Sequence, residues 1–232
     1  VESVEKKQRL RNPPPPFITS TLQQEASKKL GLGAGATMRT AQALYEQGYI
    51  TYMRTDNAAL SEVAIASLKE LVASRFGDDY LISDETRNAR KKTKKKVKSQ
   101  EAHEAIRPSG LEFTSPGQSS LEGSELSLYR LIFERTLASE MSPAVIDLTD
   151  VQIRVHSQTS SEYNGAVFRV SGSKVGFEGF LKAYGDRHYS IDEEEDEDNT
   201  GGKMDVDVAQ GSATKDNEYA SDTENQEIVD QR

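Results

Sequence analysis

The chain has 232 residues, a formal net charge of −9 and 35% hydrophobic residues, which is enough for one large domain or two small ones. It contains no cysteine, and this excludes a disulfide scaffold, a cysteine zinc site and a thiol nucleophile. No apolar run approaches the roughly 18 residues that a membrane span needs, so we expect no membrane partner.

Proline and glycine punctuate the start of the chain. The run Pro13–Pro16 fixes φ and supplies no backbone donors, so residues 1–16 are predicted to be an extended, proline-rich linker. The first helix is predicted to begin at Ser20, because Ser20 and Gln23 have the spacing of a capping box. Gly31 is expected to end this helix.

Two more helices are predicted downstream. Thr37 and Gly48 are expected to bound the second helix, and Ser61 and Gly77 the third. Apolar residues recur at helical spacing in both and are predicted to face the core: Met38, Ala41, Leu44 and Tyr45 in the second helix, and Ile65, Leu68 and Val72 in the third.

Between these two helices, Tyr49–Met53 is rich in aromatic and β-branched residues, which predicts a short extended segment. Side chains two positions apart share a face of an extended chain, so Tyr52, Arg54 and Asp56 are expected to lie together. A tyrosine is a poor nucleophile at neutral pH, but a guanidinium that stabilises the phenolate and a phosphodiester makes its attack feasible. The alternative interpretation is that the tyrosine and the arginine only pack against each other.

A basic block follows the third helix. Residues 87–98 contain eight cations in twelve positions, which is typical of a solvated loop. Such a block also suits phosphate binding or nuclear targeting, and the pattern alone leaves these alternatives open.

The segment Gln100–Pro108 holds a second cluster of polar side chains. His103 and Arg107 are four residues apart and share one face if the turn is helical, where together they could hold a phosphate. The alternative is a short polar helix in which His103 bonds to Glu104 or to water.

The remaining apolar patterns predict one long helix followed by a sheet. The helix is expected at about residues 124–141, where aromatic and aliphatic residues recur every four positions. The period then changes to two, and residues 151–155 and 167–170 are predicted to form paired antiparallel strands, with a further strand at 176–181. The predicted fold class is therefore α+β.

The C-terminal region is strongly acidic. Residues 186–232 carry 16 acidic and 4 basic side chains, whereas residues 1–185 carry 22 acidic and 25 basic ones. Asp192–Asp198 places seven carboxylates in a row, and these repel one another and resist burial. We therefore expect residues 188–232 to be a disordered acidic insert or tail, with mimicry of nucleic acid or recruitment of a basic partner as alternative roles.

Three long motifs carry a family resemblance, and they occur in this order: Pro16–Gln24, Gly48–Asp56 and Gln100–Pro108. Together they strongly resemble the bacterial-type branch of the type IA DNA topoisomerases, over about residues 12–187. The resemblance implies a helical gate domain that carries the catalytic tyrosine at residues 17–141. It also implies a piece of an antiparallel β arch at residues 142–187.

The resemblance implies a specific reaction. In this family, the tyrosine that matches Tyr52 attacks a phosphodiester of single-stranded DNA and leaves a 5′-phosphotyrosyl link and a free 3′-hydroxyl. Strand passage and resealing then relax negatively supercoiled DNA without ATP. The matching arginine, Arg54, is expected to stabilise phosphate charge in the transition state. Four further residues are expected to bind DNA or to support the site: Thr55, Asp56, His103 and Arg107.

One part of the family pattern is missing from this sequence. The Mg²⁺-binding Toprim domain of the family needs an Asp-x-Asp-x-Glu set, and the nearest approach here, Asp205-Val206-Asp207, has Ala209 in the third position. We therefore expect Mg²⁺ to be bound mainly by a Toprim domain of the same full-length chain, and we expect this piece to be inactive alone. The start at Val1, without Met, is expected of such a piece.

Two questions stay open at the level of sequence. A non-catalytic module that binds single-stranded DNA through the basic block is the alternative function. The acidic region and the lysine-rich block resemble eukaryotic relatives of the bacterial enzyme, so a plastid or mitochondrion is expected, with the bacterial cytoplasm or the nucleus as alternatives.

Overall fold

The computed structural model of the protein describes residues 1–84, 86–87, 104–110, 113–156 and 164–185. These residues form helices and one antiparallel sheet, which confirms the predicted α+β class. The helices are α1 (Thr19–Leu30), α2 (Ala34–Glu46), α3 (Glu62–Phe76) and α4 (Gly123–Ser139), and the strands are β1 (Ser3–Arg11), β2 (Ala144–Arg154) and β3 (Val167–Phe177). No helix in this described part is long and apolar enough to cross a lipid bilayer.

Helix α1 starts one residue before the predicted position. Ile18 is its N-cap residue, and the Ile18 backbone N–H donates to the Thr21 hydroxyl at 3.0 Å. The predicted capping box of Ser20 and Gln23 is therefore wrong, because Ser20 already lies inside the helix. The predicted end at Gly31 is confirmed, since this residue has a φ of 66°, a conformation that glycine adopts without steric cost.

Of the two caps predicted for the next two helices, one is wrong and one is confirmed. Helix α2 begins at Ala34 after Gly33, so the predicted Thr37 cap is wrong. Thr37 is instead buried inside the helix, where its hydroxyl donates to the Gly33 carbonyl at 3.1 Å. The Ser61 cap of α3 is confirmed, because its side chain accepts a hydrogen bond from the Ala64 N–H.

Helix α4 is the central element of the core, and it is buried over most of its length. Residues 128–132 pack with buried side chains of α1 and α2, together with Phe17, Ile50 and Met53. Residues 133–141 pack with buried side chains of α3 and with the start of β2. One helix therefore joins the layer that carries the Tyr52 region to the layer that holds the sheet.

The sheet has the strand order β1-β2-β3 and is antiparallel throughout. The predicted strands at 151–155 and 167–170 are confirmed as parts of longer strands, paired with Val151 opposite Val170. Ala144 and Ile146 at the start of β2 are fully buried, whereas most side chains of β1 and β3 are exposed. The sheet is therefore packed at one end and open to solvent at the other.

Two predictions fail at the edges of this sheet. Residues 3–11 form strand β1 and not part of a linker, because their backbone pairs with β2 although their side chains show no apolar alternation. The strand predicted at 176–181 ends at Phe177 and is followed by a 3₁₀ helix, Gly179–Tyr184. Gly179 has a φ of 48° and lies against the Pro143 carbonyl, so the chain cannot continue as a strand there.

Candidate active site

The segment of residues 49–56, called the Tyr52 segment below, alternates between exposed and buried side chains. Met53 and Thr55 are buried, at 1% and 7% exposure, and Tyr52 is 43% exposed. This pattern agrees with the extended conformation that the sequence predicts. The segment therefore presents to solvent the three side chains for which we predict chemistry: Tyr52, Arg54 and Asp56.

A second tyrosine lies beside the predicted nucleophile. The rings of Tyr45 and Tyr52 meet edge to face, with centroids 5.3 Å apart. Tyr45 is 41% exposed, so its predicted place in the core is wrong. It comes one residue after the buried Leu44, which turns its ring toward the solvent side of α2.

Residues 104–110, called the 104–110 segment below, pair with the Tyr52 segment. Ile50 and Pro108 form an antiparallel bridge, and the backbone N–H of Ser109 donates to the Tyr49 carbonyl at 2.9 Å. This pairing makes the segment extended, so the helical face predicted for Arg107 is wrong in the part that the structure describes. The two motifs that resemble the family are thereby brought side by side.

The hydroxyl of Thr51 strengthens this pairing on the Tyr52 side. It donates to the Ala105 carbonyl at 2.7 Å and accepts from the Arg107 N–H at 3.0 Å. The Thr51 N–H also donates to the Arg107 carbonyl at 2.9 Å. The backbone directly before Tyr52 is therefore fixed by three hydrogen bonds to one neighbouring segment.

Thr19, the first residue of α1, fixes the other side of the Tyr52 segment. Its hydroxyl donates to the Met53 carbonyl at 2.8 Å and accepts from the Thr55 N–H at 2.9 Å. The Thr19 N–H donates to the Thr55 carbonyl at 3.0 Å. Thr55, for which we predicted a DNA-binding or supporting role, thus has its backbone bonded to α1 and its side chain turned inward.

Arg54 and Asp56 lie in an open groove at the start of α1. Its lining includes the Arg54 guanidinium, the Ser20 hydroxyl and the Gln23 amide, which are groups that bind phosphate or sugar oxygens, together with the Asp56 carboxylate, which does not bind phosphate. The Thr19 hydroxyl is already bonded to the Tyr52 segment. The lining residues are Ile18, Thr19, Ser20, Gln23, Arg54, Thr55 and Asp56. The groove is therefore chemically suited to a nucleic-acid backbone.

Arg107 is engaged within the protein. Its Nε and Nη2 donate to the two carboxylate oxygens of Glu104 at 2.7 and 2.9 Å, and its Nη1 donates to the carbonyls of Pro108 and Gly110. Burial raises the pKa of Glu104, but hydrogen bonds from Arg107 and Ser61 outweigh burial and hold that pKa below its usual value. The pair thus holds the 104–110 segment in shape, and the Arg107 backbone bonds to Thr51 through both its N–H and its carbonyl.

Other predicted features lie outside the described residues. These are His103, nearly all of the basic block and the whole acidic region 188–232. Arg87, the first residue of the basic block, is described, and its guanidinium pairs with Glu140 and Asp84. This residue is therefore part of an ion-pair cluster beside α4 and not of a solvated loop.

The residues that the structure describes contain no group of three or more histidine, aspartate or glutamate side chains suited to hold a metal ion. They therefore do not fit a Mg²⁺ site of their own. The chemically active groups that the described residues supply at the Tyr52 segment are the phenol and the guanidinium.

Sequence reasoning missed Thr19 and Thr51. Both threonines bond to backbone atoms of residues that are distant in the chain, and a threonine in a sequence shows nothing of such a partner. The only available signal was position, because each threonine lies inside one of the motifs.

By sequence, this chain is similar to DNA topoisomerases. A family model described as "DNA topoisomerase" matches residues 1–225. DNA topoisomerase 1 of Synechocystis is 45% identical over 184 residues, which is 79% of this chain and 19% of that protein. DNA topoisomerase 1 of Streptomyces coelicolor is 47% identical over the same length, again 79% of this chain and 19% of that protein.

A solved structure is also similar. Full-length topoisomerase I from Thermotoga maritima matches with a TM-score of 0.64 and 31% identity, over 88% of this chain and 32% of that chain. The chain spans about a fifth of the length of the curated relatives it matches.

Proposed function

This chain belongs to the DNA topoisomerase family, and from that premise we propose that it carries the nucleophile of a type IA enzyme. The observation that supports this most is the exposure of Tyr52 and Arg54 on a segment that is otherwise held by buried neighbours. Packing of the ring against Tyr45 accounts for one side of Tyr52 but not for the exposure of its other side beside an exposed guanidinium. A nucleophile needs access to its substrate and a fixed backbone.

The proposed reaction is a transesterification. The phenol oxygen of Tyr52 attacks the phosphorus of a phosphodiester in single-stranded DNA. A P–O bond to tyrosine forms as the P–O3′ bond breaks, and the proton lost by the phenol is balanced by the proton gained by the leaving 3′-oxygen. The product is a 5′-phosphotyrosyl link and a free 3′-hydroxyl, and the reverse reaction reseals the strand without ATP.

Arg54 is proposed to bind a non-bridging oxygen of the phosphate under attack. A guanidinium is always charged and can donate two parallel hydrogen bonds, so it stabilises the negative charge that grows in the transition state. Asp56 lies in the same groove and is proposed to orient Arg54 or the bound strand. Thr55 and Arg107 are proposed to support the backbone on either side, and His103 to lie near the bound strand.

Two elements of the proposal lie beyond the described residues. Mg²⁺ is proposed to be held mainly by a Toprim domain of the same full-length chain, as in the family pattern. The passage of a second strand, and with it the relaxation of negatively supercoiled DNA, is proposed for the whole enzyme. We propose that this chain alone does not relax DNA.

A covalent-adduct assay tests the proposal. The chain is mixed with a purified Toprim domain, Mg²⁺ and a single-stranded oligonucleotide that is labelled at its 3′ end or at its 5′ end. The 3′ label is expected to become attached to the protein, and the 5′ label to be released on a shorter strand with a 3′-hydroxyl.

Two variants control this assay. Tyr52→Phe is expected to abolish the adduct, whereas Tyr45→Phe, which changes the neighbouring exposed ring in the same way, is expected to retain it. Binding of the oligonucleotide without any adduct would refute the proposed chemistry and favour the non-catalytic binding module. Attachment of the 5′ label would show that the proposed polarity is wrong.

A further inference from the structure

The two side chains of the proposed reaction are held by different parts of the fold. The backbone before Tyr52 is bonded through Thr51 to the 104–110 segment. The backbone on both sides of Arg54 is bonded to Thr19 of α1. The position of the guanidinium relative to the phenol therefore depends on a helix that supplies neither group.

The hydroxyl of Thr19 bonds to the residues on both sides of Arg54. Its single hydroxyl proton goes to the Met53 carbonyl at 2.8 Å, with the Thr55 carbonyl at 3.1 Å as the second acceptor. Its oxygen accepts from the Thr55 N–H at 2.9 Å. Arg54 itself is exposed, so its side chain gains no rigidity from burial, and these backbone bonds are what fix its starting point.

Helix α1 gives Thr19 a firm position. Leu22 and Ala26 of this helix are fully buried in the core, and the Thr19 N–H donates to the Thr55 carbonyl at 3.0 Å. The hydroxyl is thus held against the Arg54 backbone by the packing of a helix and not by a mobile loop.

From this geometry we propose that Thr19 is a positioning residue for the reaction, which acts by fixing the backbone of Arg54. The proposal rests on the function proposed above. It differs from a merely stabilising role, because the hydroxyl contributes to the rate of strand cleavage and not only to the fold. A displacement of about 1 Å at a catalytic group is enough to slow a reaction by up to about 100-fold.

The test compares three variants in the adduct assay with the chain, the Toprim domain and Mg²⁺. Thr19→Val keeps the shape of the side chain and removes the hydroxyl, and Thr19→Ser keeps the hydroxyl. Thr136→Val is the control, because it removes a threonine hydroxyl in the same way at a buried position where that hydroxyl donates to the Ile132 carbonyl within its own helix. Single-turnover cleavage is measured at saturating oligonucleotide, oligonucleotide affinity is measured separately, and hydrogen exchange of the Thr55 amide is followed in each variant.

The expected pattern is specific. Thr19→Val exchanges the Thr55 amide faster and cleaves about 10- to 100-fold more slowly at unchanged oligonucleotide affinity. Thr19→Ser returns both quantities to within about threefold of the wild type, and Thr136→Val leaves both unchanged.

Other outcomes overturn the proposal. Faster Thr55 exchange in Thr19→Val with a normal cleavage rate would leave Thr19 a purely structural residue. Unchanged exchange would show that the hydroxyl does not hold this backbone. In both of these outcomes the function proposed above survives. If the wild type binds the oligonucleotide but forms no adduct, that function is refuted, and the proposed role of Thr19 is refuted with it.

Discussion

The Tyr52 segment is irregular in backbone but firmly held, whereas the three-stranded sheet is regular but largely exposed. The Tyr52 segment has almost no regular secondary structure, yet Met53 and Thr55 are buried and the hydroxyls of Thr19 and Thr51 link the segment to distant parts of the chain. The sheet has a continuous ladder of paired strands, but its outer strands are exposed on both faces. We infer that the precise geometry a reaction needs is supplied by side-chain-to-backbone bonds and burial rather than by regular structure.

The largest difference between the two regions is expected for matched arginine substitutions. Arg107→Ala leaves the Glu104 carboxylate, only 27% exposed, without its bidentate partner and is expected to lower the free energy of unfolding by about 3 kcal/mol. Arg154→Ala removes an ion pair to Glu2 in the sheet, where both side chains are more than a third exposed, and is expected to cost less than about 1 kcal/mol. Urea denaturation measures both, and equal costs would contradict the comparison.

Two glycine substitutions compare the packed region just after β3 with the exposed part of that strand. Gly179 has a φ of 48°, and a Cβ there would lie 2.4 Å from the Pro143 carbonyl oxygen. Gly179→Ala is therefore expected to lower stability by about 2–3 kcal/mol. Gly172→Ala, in the exposed part of β3 with no atom within 4 Å of the new Cβ, is expected to change stability by less than about 0.5 kcal/mol.

Either of two results would weaken that view of the sheet. If Gly179→Ala costs little stability, the backbone around Pro143 can move to accommodate the new Cβ. A costly Gly172→Ala would show that the outer strands are covered in solution. Both are measured as shifts of the thermal midpoint together with urea denaturation.

Loss of stability at acidic pH is expected to arise partly from Glu104, in the segment that pairs with the Tyr52 segment. The pKa of Glu104 is lowered from its ordinary value of 4.5 in the folded protein, so the stability that Glu104 contributes is fully present above pH 4.5 and is lost as the pH falls through the folded pKa. The wild type is therefore expected to lose stability below pH 4.5 more steeply than Glu104→Gln. Urea denaturation at a series of acidic pH values checks this, and parallel pH profiles would contradict it.

The sequence predicted those features of the fold that arise from burial on one face. Helix α3 was readable from its Ser61 cap and from the apolar spacing of Leu68 and Val72, which are buried. Helix α4 was readable because large apolar residues recur every four positions, although burial extends around most of that helix. Strand β1 was not readable, because most of its side chains are exposed and so impose no alternation. The spacing of His103 and Arg107 suggested a helix, but pairing of Ile50 with Pro108 makes the described part of that segment extended.

The candidate site likewise has features that the sequence predicts and features that it does not. Exposure of Tyr52 and Arg54 followed from alternation along an extended segment, although their catalytic roles remain predictions. The contributions of Thr19 and Thr51 could not be predicted, since each depends on a carbonyl more than 30 positions away in the chain.

The smallest effect is expected at the open end of the sheet. Val170 is 58% exposed, and threonine suits a strand as well as valine does, so Val170→Thr is expected to change stability by less than about 0.5 kcal/mol. Ile146→Val, at the fully buried start of β2, removes only one methylene but is expected to cost about 1 kcal/mol. A larger cost for Val170→Thr than for Ile146→Val, measured by urea denaturation at two protein concentrations, would mean that the outer face is buried in solution. The concentration dependence would then tell burial between copies of the chain from burial within one copy, because only the former strengthens as the protein concentration rises.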